Sequence, residues 1–171
     1  MEPTSDPSQP QAPSGPLLIR GQDEIRDHIA ALVEGAHHEL AIFAPQLDPR
    51  WFNTERFASA LTRFAVSHRN NRARLLIEDA EQAVSDNNRI VELSRRLSDF
   101  FEFRQVGEEH AGVRELFVLA DRRSYLHQED LTRLTAVADL NGARAAADLR
   151  LRFQAMWDRS EPIARLHTTG L

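Results

Sequence analysis

Apolar residues recur along this chain with two spacings, one helical and one extended. Leu17, Leu18 and Ile19 form a short apolar run that predicts an edge strand. Asp23 follows as an N-cap, and Ile25, Ile29, Leu32, Val33 and Ala36 then fall on one helical face, with Gly35 weakening the helix near its end. Residues 39–45, ELAIFAP, predict a buried strand closed by Pro45, and Phe57, Leu61 and Phe64 share a face of a second helix. ARLLIED, residues 73–79, predicts another buried strand. A helix from about Asn87 to Asp99 turns Ile90, Leu93 and Leu97 inward, and residues 101–106 add a strand. The chain then becomes strand-rich. RELFVLAD (114–121) and RRSYLHQE (122–129) predict two strands meeting at Asp121-Arg122, and TRLTAVA (132–138) supplies one more. A last helix runs from about Asn141, as N-cap, to Asp158, with Leu149, Phe153, Met156 and Trp157 inward.

A βαβα opening, a run of strands and a closing helix predict the α/β class: a mixed, mostly buried sheet flanked by helices on both faces. Continuous apolar strands such as LAIF and FVLA fit burial on both sides. Residues 1–16 are rich in Pro, Ser and Gln and hold almost no bulky apolar residue, which predicts a disordered tail. Residues 17–171 then form a single domain, consistent with a length of 171 residues.

Composition narrows the chemistry. There is no cysteine, which removes disulfides, thiolate nucleophiles and cysteine-based zinc sites. There is no lysine either, so Schiff-base chemistry and any ammonium phosphate clamp are excluded. A net charge of −5 disfavours non-specific nucleic-acid or anionic-membrane binding, leaving only a local arginine patch to achieve it. No apolar run approaches the ~20 residues that cross a bilayer, and the opening residues carry no signal-like core, so a cytoplasmic protein is expected.

Three stretches together resemble the phospholipase D superfamily. They are the helix leading into His37-His38-Glu39 and the strand after it, the unit RELFVLADRRSYL, and the ending in which Phe153, Trp157 and Ser160 close a helix. The resemblance covers about residues 17–160 and implies one half of a phospholipase D-like fold. It implies a strand-turn-strand carrying a histidine nucleophile, a phosphate-binding lysine two positions on and an aspartate five further. With Asp121 on the aspartate, Arg114 stands at the histidine and Leu116 at the lysine. Arginine cannot form the covalent phospho-intermediate and leucine cannot hold a phosphate. The Gly-Ser and Asn of the family have no counterpart near Gln128 to Leu131. The resemblance therefore implies a pseudoenzyme with no catalytic residue and no cofactor. Because the superfamily often places catalysis between two such halves, it also implies a homodimer.

The remaining candidates each carry two readings. A two-residue turn at Asp121-Arg122 sets Arg114 opposite Glu129 and Leu116 opposite His127, either a structural ion pair or a vestigial pocket in which Arg114, His127 and Glu129 recognise an anion. Trp51 and Phe52, after Pro49, form either an exposed contact pair or a lid folded on the core. Arg144, Arg152 and Arg159 share a face of the last helix, as a solvated stripe or a docking surface. Gln46, Asp48, Glu78 and Asp79 lie beyond strand ends, as caps or as a site for a basic peptide or a divalent cation. Glu108, Glu109 and His110 form a loop or a lid over the pocket. His37 and His38 diverge as neighbours and chelate no metal well. Three functions stay open: a binding module acting through a protein partner or a small anionic ligand; a divergent hydrolase or nuclease using His127 or His110; and a nucleic-acid or phospholipid binder using the arginine stripe.

Overall fold

The computed structural model describes residues 15–163. The tail expected over 1–16 therefore lies almost wholly outside the described residues. The first half alternates strand and helix: β1 (Leu17–Arg20), α1 (Gln22–Glu34), β2 (Glu39–Phe43), α2 (Pro49–Phe52), α3 (Glu55–Ser67), β3 (Arg72–Ile77), α4 (Ala80–Asp86), α5 (Asn88–Arg96) and β4 (Phe101–Gln105). A 3-10 turn at Glu108–His110 leads to β5 (Leu116–Ala120), β6 (Ser124–Gln128) and β7 (Thr135–Asp139). Helix α6 (Ala143–Asp158) and the short β8 (Glu161–Pro162) follow.

All strands join one eight-stranded sheet in the order β1-β7-β6-β5-β2-β3-β4-β8. The pairs β2–β3 and β3–β4 are parallel and the others antiparallel, so the sheet is mixed. Helices cover both faces, and the central strands are apolar on both sides for that reason. Leu40 and Ile42 of β2, with Leu116 and Val118 of β5, face a core that also holds Ile25 and Ile29 of α1 and Phe57 and Phe64 of α3. Ala41, Phe43, Phe117 and Leu119 point the other way, into a second core closed by Leu149, Phe153, Met156 and Trp157 of α6. No helix among the described residues is long and apolar enough to cross a membrane.

Several local expectations are corrected. Asp23 is not the N-cap of α1; Gly21 stands there, at φ 92. Asn141 is not the N-cap of α6; Gly142 is. The helix expected from 87 to 99 ends at Arg96, and α4 precedes it unpredicted. Asp48 starts α2 by accepting from the Arg50 N–H, with Pro49 in the first turn, so Trp51 and Phe52 are helical.

The hairpin turn is the correction with most consequence. Asp121, Arg122 and Arg123 all lie between β5 and β6, with Ala120 opposite Ser124, Phe117 opposite His127 and Leu116 opposite Gln128. Asp121 takes a left-handed conformation, φ 53, which inserts the third turn residue. The register shifts by one, so Arg114 does not face Glu129 and Leu116 does not face His127.

Candidate functional site

The three positions that the resemblance aligns with the motif run from one end of β5 to the other. Arg114, just before the strand, reaches across to Glu78 beyond β3, at 2.8 Å. Glu78 also accepts from the Gly112 N–H at 3.3 Å. Leu116 is 2% exposed, buried in the first core. Asp121 leaves at the far end, where its carboxylate accepts from the backbone N–H groups of His37, His38 and Glu39 at 2.8–3.3 Å. Asp121 thus clasps the start of β2.

Arg114 and Glu78 line a cleft of about 510 Å3 at the carboxyl ends of β2 and β3, shared with Gln46, Asp48, Asp79 and Asp86. Its carboxylates already have partners. Asp48 bonds the Arg50 guanidinium at 2.6 Å, and Asp79 caps α4 through the Gln82 N–H. Beside it, Trp51 and Leu116 line a smaller hollow of about 90 Å3 with Leu131. Trp51 is 3% exposed and Phe52 is fully buried, stacked edge-on with Phe57. The pair therefore packs on the core and presents no exposed contact surface, because the Asp48-Pro49 helix start turns both rings inward.

His127 lies on the other face of the sheet. Its ring stands edge-on to Phe117 in the second core, and its Nε2 lies 2.7 Å from Glu115. Glu115 also accepts two bonds from Arg152 of α6, at 2.6 and 3.1 Å. Burial raises the pKa of Glu115, but the bonds and charges of Arg152 and His127 outweigh it and hold the carboxyl below the ordinary glutamate range. Glu129 is exposed beyond the end of β6. Arg114, His127 and Glu129 therefore do not converge, and the one-residue register shift is the cause. Glu115 is the residue that sequence reasoning missed. Once the turn has three residues, positions 115 and 127 share the side of the sheet that faces α6.

Of the arginines on α6 and at its C-cap, Arg152 is matched by Glu115 and Arg159 by Glu109, at 2.6 Å each, while Arg144 is exposed at the helix start. Glu108 and His110 share the 3-10 turn with Glu109, and the loop touches the cleft through the Gly112 bond to Glu78. The rings of His37 and His38 stand 6.4 Å apart and tilted. Among the described residues, no group of three or more His, Cys, Asp or Glu side chains is placed to hold a metal ion.

The fold matches solved structures of the phospholipase D type. Nuc from Salmonella typhimurium, a phospholipase D family member, aligns with a TM-score of 0.60 at 13% identity, over 87% of this chain and 99% of that one. NucT from Helicobacter pylori aligns with a TM-score of 0.63 at 9% identity, over 87% and 99%. TrmBL2, an archaeal chromatin protein whose structure shows a novel mode of DNA binding, aligns with a TM-score of 0.64 at 14% identity. That alignment covers 86% of this chain and 54% of TrmBL2, so the chain spans about half the length of that protein. At these identities the likeness is one of fold. No curated protein matches the sequence. The family model described as "Domain of unknown function (DUF7931)" matches residues 21–168, and the chain belongs to that family.

Proposed function

We propose that this domain is a non-catalytic phospholipase D-like module that binds a protein partner and regulates through that contact. The observation that carries the reading is the state of the motif positions. Where the resemblance implies a nucleophile there is an arginine in an ion pair with Glu78, and where it implies a phosphate clamp there is a buried leucine. An arginine matched by a carboxylate offers little to an anion. The cleft around it is lined by four carboxylates, Asp48, Glu78, Asp79 and Asp86, against one arginine; each acid is bonded within the chain, but the surplus of negative charge suits a basic partner segment better than a phosphodiester. Homodimer formation, inferred from the superfamily's paired halves, belongs to the same proposal.

The test is a phosphodiesterase assay on bis-p-nitrophenyl phosphate and on plasmid DNA, with and without divalent metal. The domain is assayed beside its Arg114→Ala and His127→Ala variants. No turnover above background in any of them is expected. Turnover that needs metal or His127 would establish a divergent hydrolase and end the binding-module reading.

A second reading has one specific support, the fold shared with the DNA-binding TrmBL2. On it, the domain binds nucleic acid through exposed arginines despite its net charge of −5. Duplex binding that weakens steeply between 50 and 200 mM salt, about 10³-fold or more for six phosphate contacts, would favour it. Binding absent at low salt would remove it.

A further inference from the structure

The amino end of β2 carries another cleft, at the opposite end of the sheet from the motif cleft. Its volume is about 600 Å3, and His38, Glu39, Asp121, Arg122, Arg123, Ser124 and Leu140 line it. From these residues we infer that this cleft binds a phosphate-class oxyanion. The inference goes beyond the binding-module reading and does not depend on it.

Asp121 assembles the cleft. Its left-handed backbone makes room for Arg122 and Arg123 in one turn, while its carboxylate draws in the backbone of His37 and His38. His38 and the Arg122-Arg123 pair, distant in sequence, therefore meet at one end of the sheet. Both acids in the lining are engaged. Asp121 accepts from three backbone N–H groups, and Glu39 faces Arg150 at 3.7 Å. Arg122 and Arg123 contrast with Arg114, Arg152 and Arg159, each of which has a carboxylate. Among the described residues neither turn arginine has one. Among the described residues, the side chain of Arg123 bonds the neutral Asn141 Oδ1, at 3.3 Å.

The start of α6 borders the same turn. This helix spans 16 residues, with no acidic residue in its first turn and no side-chain cap. Its N-cap is glycine for a packing reason. A Cβ on Gly142 would lie 2.6 Å from Tyr125 Cε1 and 3.0 Å from Asp139 Oδ2. The N–H of Gly142 donates to the Arg123 carbonyl, so the helix start sits against the turn that bears the arginines. The adjacent Asp139 is occupied by the Asn141 N–H. The positive helix end already has the Asp139 carboxylate beside it, so the case for a bound anion rests on the turn arginines. Two guanidinium groups with no carboxylate partner among the described residues supply the planar donors that phosphate oxygens accept.

The test uses the whole chain, 15N-labelled, titrated with inorganic phosphate and separately with phenyl phosphate. Saturable shifts are expected at the amides of His38, Arg122, Arg123, Ser124 and the first turn of α6. Arg122 and Arg123 are exposed, so an Arg122→Ala/Arg123→Ala protein should keep its unfolding midpoint and bind phosphate at least about tenfold more weakly, as loss of one charge-assisted contact implies. A short DNA duplex distinguishes the source of the group. If it shifts the same amides with steeply salt-dependent affinity, the oxyanion is a phosphodiester; if only the small phosphates shift them, it is a terminal phosphate. Arg114→Ala should bind phosphate as the unmodified chain does, which separates this outcome from any failure of the motif-cleft reading. Absence of saturable shifts, or equal binding by the double variant, would overturn the assignment.

Discussion

Asp121 ties three parts of the fold together, and its role there is mechanical. One carboxylate satisfies three successive backbone donors at the entry to β2, while its own backbone holds a positive φ. Arg150 bonds the Asp121 carbonyl from α6, so a single residue ties together β2, the β5–β6 turn and the last helix. The two functions of the residue separate by substitution. Asp121→Asn keeps an oxygen acceptor and a side chain tolerant of the left-handed region, and should cost about 1 kcal/mol. Asp121→Gly keeps the backbone freedom and loses every side-chain bond. Asp121→Ala loses both and should cost about 2–3 kcal/mol. Urea denaturation of the series should rank stability Asp, Asn, Gly, Ala. A Gly protein less stable than the Ala protein would show that the positive φ carries no cost at this site.

At the scale of elements, strand β5 joins its neighbours differently on its two sides, and one of those links is pH-sensitive. Glu115, just before the strand, is held by His127 of β6 and Arg152 of α6, which together keep its carboxyl below the ordinary glutamate range. A depressed carboxyl contributes stability that is fully present above its unfolded-state pKa, near 4.3, and is lost as pH falls through the lower folded value. Stability measured from pH 7 down to pH 3 should fall less steeply in Glu115→Gln than in the unmodified chain. Glu34, held low by the bond from Arg56, supplies part of the slope that remains. An unchanged acid limb would show that the link contributes nothing. The sequence revealed β2, β3 and β5 because their apolar runs are continuous, and α3 and α6 because their apolar faces are regular. It hid the Glu115 link because a register depends on turn length, and a left-handed aspartate adds a residue without altering the apolar pattern. Helix α4 was hidden because only Ala83 of it is buried, so periodicity had nothing to follow. Its signal was local: Asp79 with Gln82 three residues on, the pattern of a helix start. Asp48-Pro49 was the equivalent signal for α2, and it decided that Trp51 and Phe52 face inward.

Across the whole molecule, one sheet serves two cores, and among the described residues α6 is the helix that closes the second. That helix is pinned at its far end. Phe153 and Trp157 stack at 5.5 Å, Arg74 lies over both rings, and Arg104 binds the Ser160 hydroxyl and carbonyl at 2.7 Å each. The Phe, Trp and Ser of the family-like ending thus serve as the fastening of the helix. Strands β2 and β5 contribute alternate residues to both cores, Leu40 and Val118 to one, Phe43 and Phe117 to the other. Neither core can therefore open without exposing strands that the other needs, and the domain should unfold as one unit. The chain carries its own reporters for this. It has two tryptophans, Trp51 in the first core and Trp157 in the second. Removing the second core's Phe153, which is fully buried, should cost about 3–5 kcal/mol. With single-tryptophan proteins, Trp51→Phe and Trp157→Phe, Phe153→Ala should lower the urea midpoint seen by Trp51 as much as that seen by Trp157. If Trp157 fluorescence were lost first while Trp51 kept its original midpoint, α6 would be a detachable element. The first core would then stand without it.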